Sequence, residues 1–238
     1  MAGKVYGIGV GPGDPGLMTV KAVEVLQRAG HVFAPISKDG STSIALETAQ
    51  RFIPAPTPVT KLLFPMLKDK RVLHDQWMKN YEAIRDAACR GADCAFITLG
   101  DPSIYSTFSV IAGLFKAHSP DIEIETIPGI PSFCHAAARA GMTLVEGDEI
   151  LAVASANDTR ERIGALIKTA DTAVFLKTYR DRNRLLDIVK DCGLLSCCTY
   201  MRRCGMQGEE VIRECDKLPD DPDYLSLIIV KKPHEENG

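Results

Sequence analysis

Between Val5 and Ile127 short apolar runs alternate with stretches of helical periodicity, and this alternation restricts the fold more than any other feature of the chain. KVYGIGV reads as a buried strand. Thr19 then offers a cap for a helix whose inward face is Val20, Val23 and Leu26, stopped at Gly30. HVFAPI is the next strand, and Ser41 and Ser43 can cap a helix with Ile44, Ala45, Thr48, Ala49 and Phe52 on one side, before the strand PVTKLLF. Leu73, Trp77, Tyr81, Ile84 and Ala88 repeat at helical spacing over residues 71–90. DCAFITL, a helix carrying Ile104, Phe108, Ile111 and Phe115, and IEIETI complete the series. Strands separated by helices predict a mostly parallel sheet covered on both faces.

Past Ile127 the pattern changes, and a boundary is expected there, giving an N-terminal α/β domain over residues 1–127 and a C-terminal one over 128–238. An alanine-rich helix at 132–140 leads to the strand EILAVAS, a helix around Ile163, Leu166 and Ile167, the strand TAVFL, and a helix around Leu185, Ile188 and Val189. CTYM, EEVIREC and YLSLIIV then follow with no helix between them. Strands joined without crossover helices pair antiparallel, so the second domain should hold a mixed sheet.

Composition removes several function classes. Lysine and arginine number 28 against 31 aspartate and glutamate, a net charge of −3, where a nucleic-acid binder would show a basic excess. No apolar run approaches the ~18 residues of a membrane helix, and the glycine-bearing start lacks the continuous apolar stretch of an export signal. The expected location is the cytoplasm. The 8 cysteines include no CxxC pair and have no histidines spaced beside them, so they predict free thiols and no metal site.

The most permissive segment is GIGVGPGDPG, residues 7–16. Gly11, Gly13 and Gly16 satisfy G-x-G-x-x-G after a strand, and Asp39 lies at a distance suited to a ribose contact, which admits a nicotinamide-dependent dehydrogenase as an alternative. Against it, Pro12 and Pro15 stiffen the loop, and Asp14 puts a carboxylate where a pyrophosphate needs bare amides. A P-loop is excluded because no Gly-Lys-Ser or Gly-Lys-Thr follows. Two further glycine and proline loops, TLGDPSIYSTF at 98–108 and IPGIPSF at 127–133, also follow strands. All three should lie at carboxyl ends of one parallel sheet, the edge where open α/β sheets bind ligands.

Together VGPGDPGLMTVKA, GDPSIYSTF and PGIPSF resemble the tetrapyrrole methylases, and the resemblance spans essentially the whole chain. GDPSIYSTF and the long opening segment look most like the members that methylate carbon 20 of precorrin-2 or cobalt-factor II in cobalamin synthesis. Other corrinoid and uroporphyrinogen methyltransferases share the first loop and are the alternative within the family. The resemblance implies a kidney-shaped pair of α/β domains with S-adenosylmethionine in the cleft between them, a tetrapyrrole substrate and a homodimer. Its cofactor contacts carry over to Pro12, to Leu99, Gly100, Asp101 and Ile104 with Tyr105 adjacent, and to Pro131, Ser132 and Phe133. In the second domain the matches are Leu176 or Lys177 and Gly205. The charged Lys177 departs from an otherwise apolar pattern.

The chemistry of these residues has its own logic. S-adenosylmethionine offers a ribose diol, an adenine edge and an amino acid but no phosphate, so glycine loops with close backbone and an acceptor such as Asp101 suit it. Asp101 equally suits an N-cap for a helix starting at Pro102. No catalytic base stands out. Tyr105 is a weak candidate, and His135 reads as an ordinary helix residue. A substrate with eight carboxylates calls for cations. Lys177, Arg180, Arg202 and Arg203 are the expected ones, with Gly11, Gly13 and Asp14 of the first loop also facing the substrate.

Overall fold

A computed structural model describes residues 2–67 and 69–233. By backbone proximity the chain divides into two compact units at the Pro131–Ser132 link.

The first unit is built on β1 (Val5–Gly9), β2 (His31–Ile36), β3 (Val59–Leu63), β4 (Cys94–Thr98) and β5 (Ile124–Ile127), connected by α1 (Val20–Arg28), α2 (Ile44–Ala49), α3 (Lys70–Cys89) and α4 (Phe108–His118). The order is β3-β2-β4-β1-β5, and every neighbouring pair is parallel. Alternate strand residues feed two cores. Tyr6, Ile8, Ala95 and Ile97 meet α1 and α2 on one face, and Val5, Phe33, Cys94 and Phe96 meet α3 and α4 on the other. Gly7 has no side chain because the Phe108 ring fills the space where a Cβ would stand.

The caps at Thr19 and Ser43 form as expected, accepting from the N–H groups of Ala22 and Leu46 at 3.2 and 3.4 Å. The inward face of α1 differs from the expected one: Ala22, Val25 and Leu26 are buried, and Val20 is 75% exposed. Ala22, Val25, Leu26 and Ala29 form the i, i+3, i+4, i+7 stripe that meets the sheet, which leaves Val20 on the outer side.

The second unit contains α5 (Ser132–Ala140), β6 (Leu151–Ser155), α6 (Arg160–Thr169), β7 (Thr172–Leu176), α7 (Arg182–Asp191), β8 (Cys198–Arg202), β9 (Glu210–Ile212) and β10 (Ser226–Lys231). Its sheet runs β6-β7-β10-β8-β9, with β6 and β7 parallel and the remaining pairs antiparallel. The expected mixed sheet is therefore present. Ile163, Ile167, Leu185, Ile188 and Val189 of α6 and α7 pack on Phe175, Tyr200 and Ile228 of the strands. All eight cysteines are free, and Cys94, Cys198, Cys204 and Cys215 are buried.

Candidate functional site

The strand order decides what the glycine loops can do. β1 leads into α1 on one face and β4 into α4 on the other, so the loops leaving these adjacent strands diverge and open a crevice at their carboxyl ends. β5 lies on the other side of β1, so all three glycine loops emerge side by side.

They are also fastened together. Gly100 N–H donates to Gly11 O at 2.7 Å, and Gly11 N–H donates to Gly100 O at 3.3 Å. A Cβ added at Gly9 would lie 2.6 Å from both Gly100 O and Gly129 N, closer than real side chains come. Three strand ends thus touch backbone to backbone, which only glycine permits. Gly100 has φ +72°, and its Cα faces open space where a Cβ would stand.

Asp101 completes the join. One carboxylate oxygen accepts from the Gly129 N–H at 2.9 Å, and the other accepts from Ser103 N–H at 2.8 Å and from the Ser103 hydroxyl. Partial burial pushes its acidity toward the neutral form, but the donors on Ser103 and Gly129 outweigh this and hold the carboxyl below its usual value. The expected helix from Pro102 does not form. Residues 102–107 are turns, and α4 begins at Phe108 after Thr107. Tyr105, at φ +49°, interrupts the helical path, so Ile104 lies in the turn segment rather than on the helix face. Phe108 is 2% exposed and belongs to the core.

In the first loop, Pro12 is buried and Asp14 accepts from the Gly16 N–H at 2.7 Å, capping a 3₁₀ turn at Pro15–Leu17. Gly13 O accepts from the Thr48 hydroxyl at 3.4 Å. The loop therefore does not run into α1, whose N-terminus is capped separately by Thr19. That removes the geometry a dinucleotide pyrophosphate requires, and Asp39 is exposed in the turn after β2. Pro131 and Ser132 are half-buried, and Phe133 is buried on α5.

In the second unit, Leu176, Arg202, Glu210 and Ser226 line one edge of the sheet, because β7 and β8 end there while β9 and β10 begin. Lys177 and Arg203 leave that edge with φ of +60° and +53°. Among the described residues, Tyr105, Lys177 and Arg203 are the three non-glycine residues with left-handed φ, and all three stand at expected site positions. Arg202 donates to both Glu210 oxygens at 3.1 and 3.0 Å and to Asp221 at 2.9 Å, and Arg203 donates to Asp223 at 2.6 Å. Two of the three arginines expected to meet substrate, Arg202 and Arg203, are thus engaged by the chain's own carboxylates. Arg180 is exposed and donates to the Tyr179 hydroxyl at 2.9 Å.

One residue that sequence reasoning missed organises the Gly205 loop. Glu209 accepts from Gly205 N–H at 2.6 Å, from His135 Nε2 at 2.9 Å and from Arg139 Nε at 2.5 Å. His135 and Arg139 stand one turn apart on α5, so that helix holds the loop through a shared acceptor. Burial raises the Glu209 acid, but these donors more than reverse that and bring it down to about 2. A glutamate beside glycines carries no signal of this role in sequence.

Comparison with known proteins follows the same lines. The model of the Tetrapyrrole (Corrin/Porphyrin) Methylases matches residues 4–216. The chain belongs to this family. It is 37% identical over 237 residues to the probable cobalt-precorrin-2 C(20)-methyltransferase of Methanocaldococcus jannaschii, covering 96% of each chain. It is 32% identical to the cobalt-precorrin-2 C(20)-methyltransferase of Salmonella typhimurium, covering 99% of each, and 26% identical to the precorrin-2 C(20)-methyltransferase of a Sinorhizobium species, covering 96% of this chain and 95% of the other. Among solved structures, a cobalt precorrin-4 methyltransferase superposes with TM-score 0.76 at 20% identity, covering 96% of this chain and 94% of that one. A uroporphyrin-III C-methyltransferase of Thermus thermophilus, complexed with S-adenosylhomocysteine, superposes at 0.67 and 20% identity, covering 96% and 97%. These tetrapyrrole methylases share the fold described above.

Proposed function

We propose that this tetrapyrrole methylase transfers a methyl group from S-adenosylmethionine to carbon 20 of precorrin-2 or its cobalt form, a step of cobalamin synthesis. The names of the three relatives above support carbon 20, and the two of higher identity favour the cobalt-bearing substrate. The observation that carries the reading is the joined backbone of Gly9, Gly100 and Gly129 with Asp101 across it.

That cradle fits the methyl donor. It presents a left-handed glycine with open space beside its Cα and the Asp101 carboxylate next to it, suited to a ligand with hydroxyl, adenine and amino-acid groups and no phosphate. Pro12, Leu99, Gly100, Asp101, Ile104, Pro131, Ser132 and Phe133 are the proposed contacts, with Leu176, Lys177 and Gly205 in the second unit. When bound, S-adenosylmethionine supplies an electrophilic methyl on a sulfonium whose leaving thioether is neutral. The protein's work is therefore to orient two reactants, and stiff loops tied to each other accomplish that. Tyr105 stands beside these contacts in the second loop, and no group is assigned as the base for the proton that leaves the methylated carbon. Lys177, Arg180, Arg202 and Arg203 are the proposed partners of substrate carboxylates, and Gly11, Gly13 and Asp14 lie on the substrate side of the first loop.

The described residues include no helix long and apolar enough to cross a membrane. A cytoplasmic homodimer, of twice the 25.9 kDa chain mass, completes the proposal. The test is calorimetric titration with S-adenosylhomocysteine and, as control, NAD. Binding of the former alone, followed by a carbon-13 methyl signal at carbon 20 of cobalt-factor II or precorrin-2, is the expected result. Preference for NAD would overturn the reading, and a methyl signal at another ring carbon would overturn the carbon-20 assignment.

A further inference from the structure

The two sides of the Arg202 guanidinium are held very differently. Across β8 and β9 it stands opposite Glu210, and Nε and Nη2 donate to the two Glu210 oxygens at 3.1 and 3.0 Å. This fork fixes the plane of a side chain that is only 14% exposed. Nη1 instead meets Asp221, through a carboxylate oxygen at 2.9 Å and the carbonyl at 3.2 Å, and the Asp221 side chain is 74% exposed. An ion pair that open to water is weak, so another carboxylate can replace it at little cost.

The surroundings favour such a replacement. Arg202, Arg203, Gly208, Glu210, Asp221 and Asp223 line a recess of about 300 Å³. The charge of Arg182 also reaches Asp221. Arg182 is 7% exposed, and its Nε and Nη1 have no hydrogen-bond partner among the described residues. Arg182 does not line the recess, but its charge adds to that of Arg202 and Arg203 on this side of the sheet. Asp223, by contrast, is bound into its turn, accepting the Leu225 N–H at 2.8 Å besides Arg203. Of the two aspartates, Asp221 is the one free to leave.

We propose that Asp221 is a placeholder on Arg202 Nη1, displaced when a peripheral carboxylate of the substrate binds, while Glu210 keeps the guanidinium aimed. The inference rests on the tetrapyrrole reading above. The exchange is of ion pairs only, one carboxylate for another, with no proton moved.

The probe is uroporphyrin III, an octacarboxylic tetrapyrrole, titrated by fluorescence against the full chain, with S-adenosylhomocysteine titrated in parallel. Asp221→Ala should bind uroporphyrin about two- to fivefold more tightly than wild type, the advantage shrinking at high salt. Arg202→Gln should weaken binding and cancel the gain in the Asp221→Ala background. Wild-type binding with no gain in Asp221→Ala, or a gain that survives Arg202→Gln, overturns this inference alone. Failure of every variant to bind uroporphyrin while S-adenosylhomocysteine still binds overturns the substrate reading and the inference with it.

Discussion

Gly11 and Gly100 exchange two backbone hydrogen bonds, of 2.7 and 3.3 Å, across the ends of the adjacent strands β1 and β4. The loops at the switch point are thus one body rather than two, and substitutions there act on both.

Gly9→Ala should be severely disruptive, because its methyl would stand 2.6 Å from Gly100 O and Gly129 N, and neither backbone can yield without parting the loops. A loss of about 1–3 kcal/mol or more is expected. Gly113→Ala, within α4 and with nothing within 4 Å of the added atom, should instead stabilise by about 0.5–1 kcal/mol. Urea denaturation of the pair checks the contrast; equal losses would mean that the glycine contact is slack.

Asp101→Asn keeps the size of the side chain but sets an amide against the Gly129 N–H or the Ser103 donors, since one of its two ends can no longer accept. S-adenosylhomocysteine affinity should fall roughly tenfold or more, the scale of a hydrogen bond to a charged group. The native carboxyl is held below its usual value, so the join persists to lower pH than an ordinary aspartate would allow. Wild-type affinity should accordingly stay level from neutral pH to about 5, near the upper edge of carboxylate titration. Calorimetry across that range measures both.

Glu209 links stability to acid. Its folded-state acid lies near 2 against an ordinary 4.5, a depressed value, so its contribution is complete above 4.5 and is lost as pH falls from there toward 2. Glu209→Gln should be less stable than wild type at neutral pH and should close that gap over the same window. Unfolding curves at successive pH values test this, and a gap independent of pH would contradict it.

Thiol alkylation should follow burial. Cys89 is exposed and should react first with iodoacetamide; Cys134 is exposed too, but desolvation raises its thiol and slows it. Cys94 and Cys204, buried and pushed up to about 12, should remain unmodified in the folded protein, as should Cys198 and Cys215. Peptide mass spectrometry after a short exposure reads the order directly.

The alternation of apolar runs and helical stripes is a local property, and it was enough to determine the parallel sheet, the mixed sheet and three glycine loops at strand ends, because burial imposes periods of 2 and 3.6 on neighbouring residues. It misplaced α4 because Ile104 keeps helical spacing with Phe108 while the backbone at Tyr105 turns left-handed, which spacing cannot reveal. The order β3-β2-β4-β1-β5, which sets the loops side by side, depends on pairings between residues as far apart as Val5 and Ile124. Tertiary structure alone also decided that Asp101 reaches Gly129, that Glu209 holds Gly205, and that Arg202 and Arg203 are met by Glu210, Asp221 and Asp223. A charged side chain advertises its charge in sequence but not its partner, since the partner is set by where the folded backbone brings distant carboxylates.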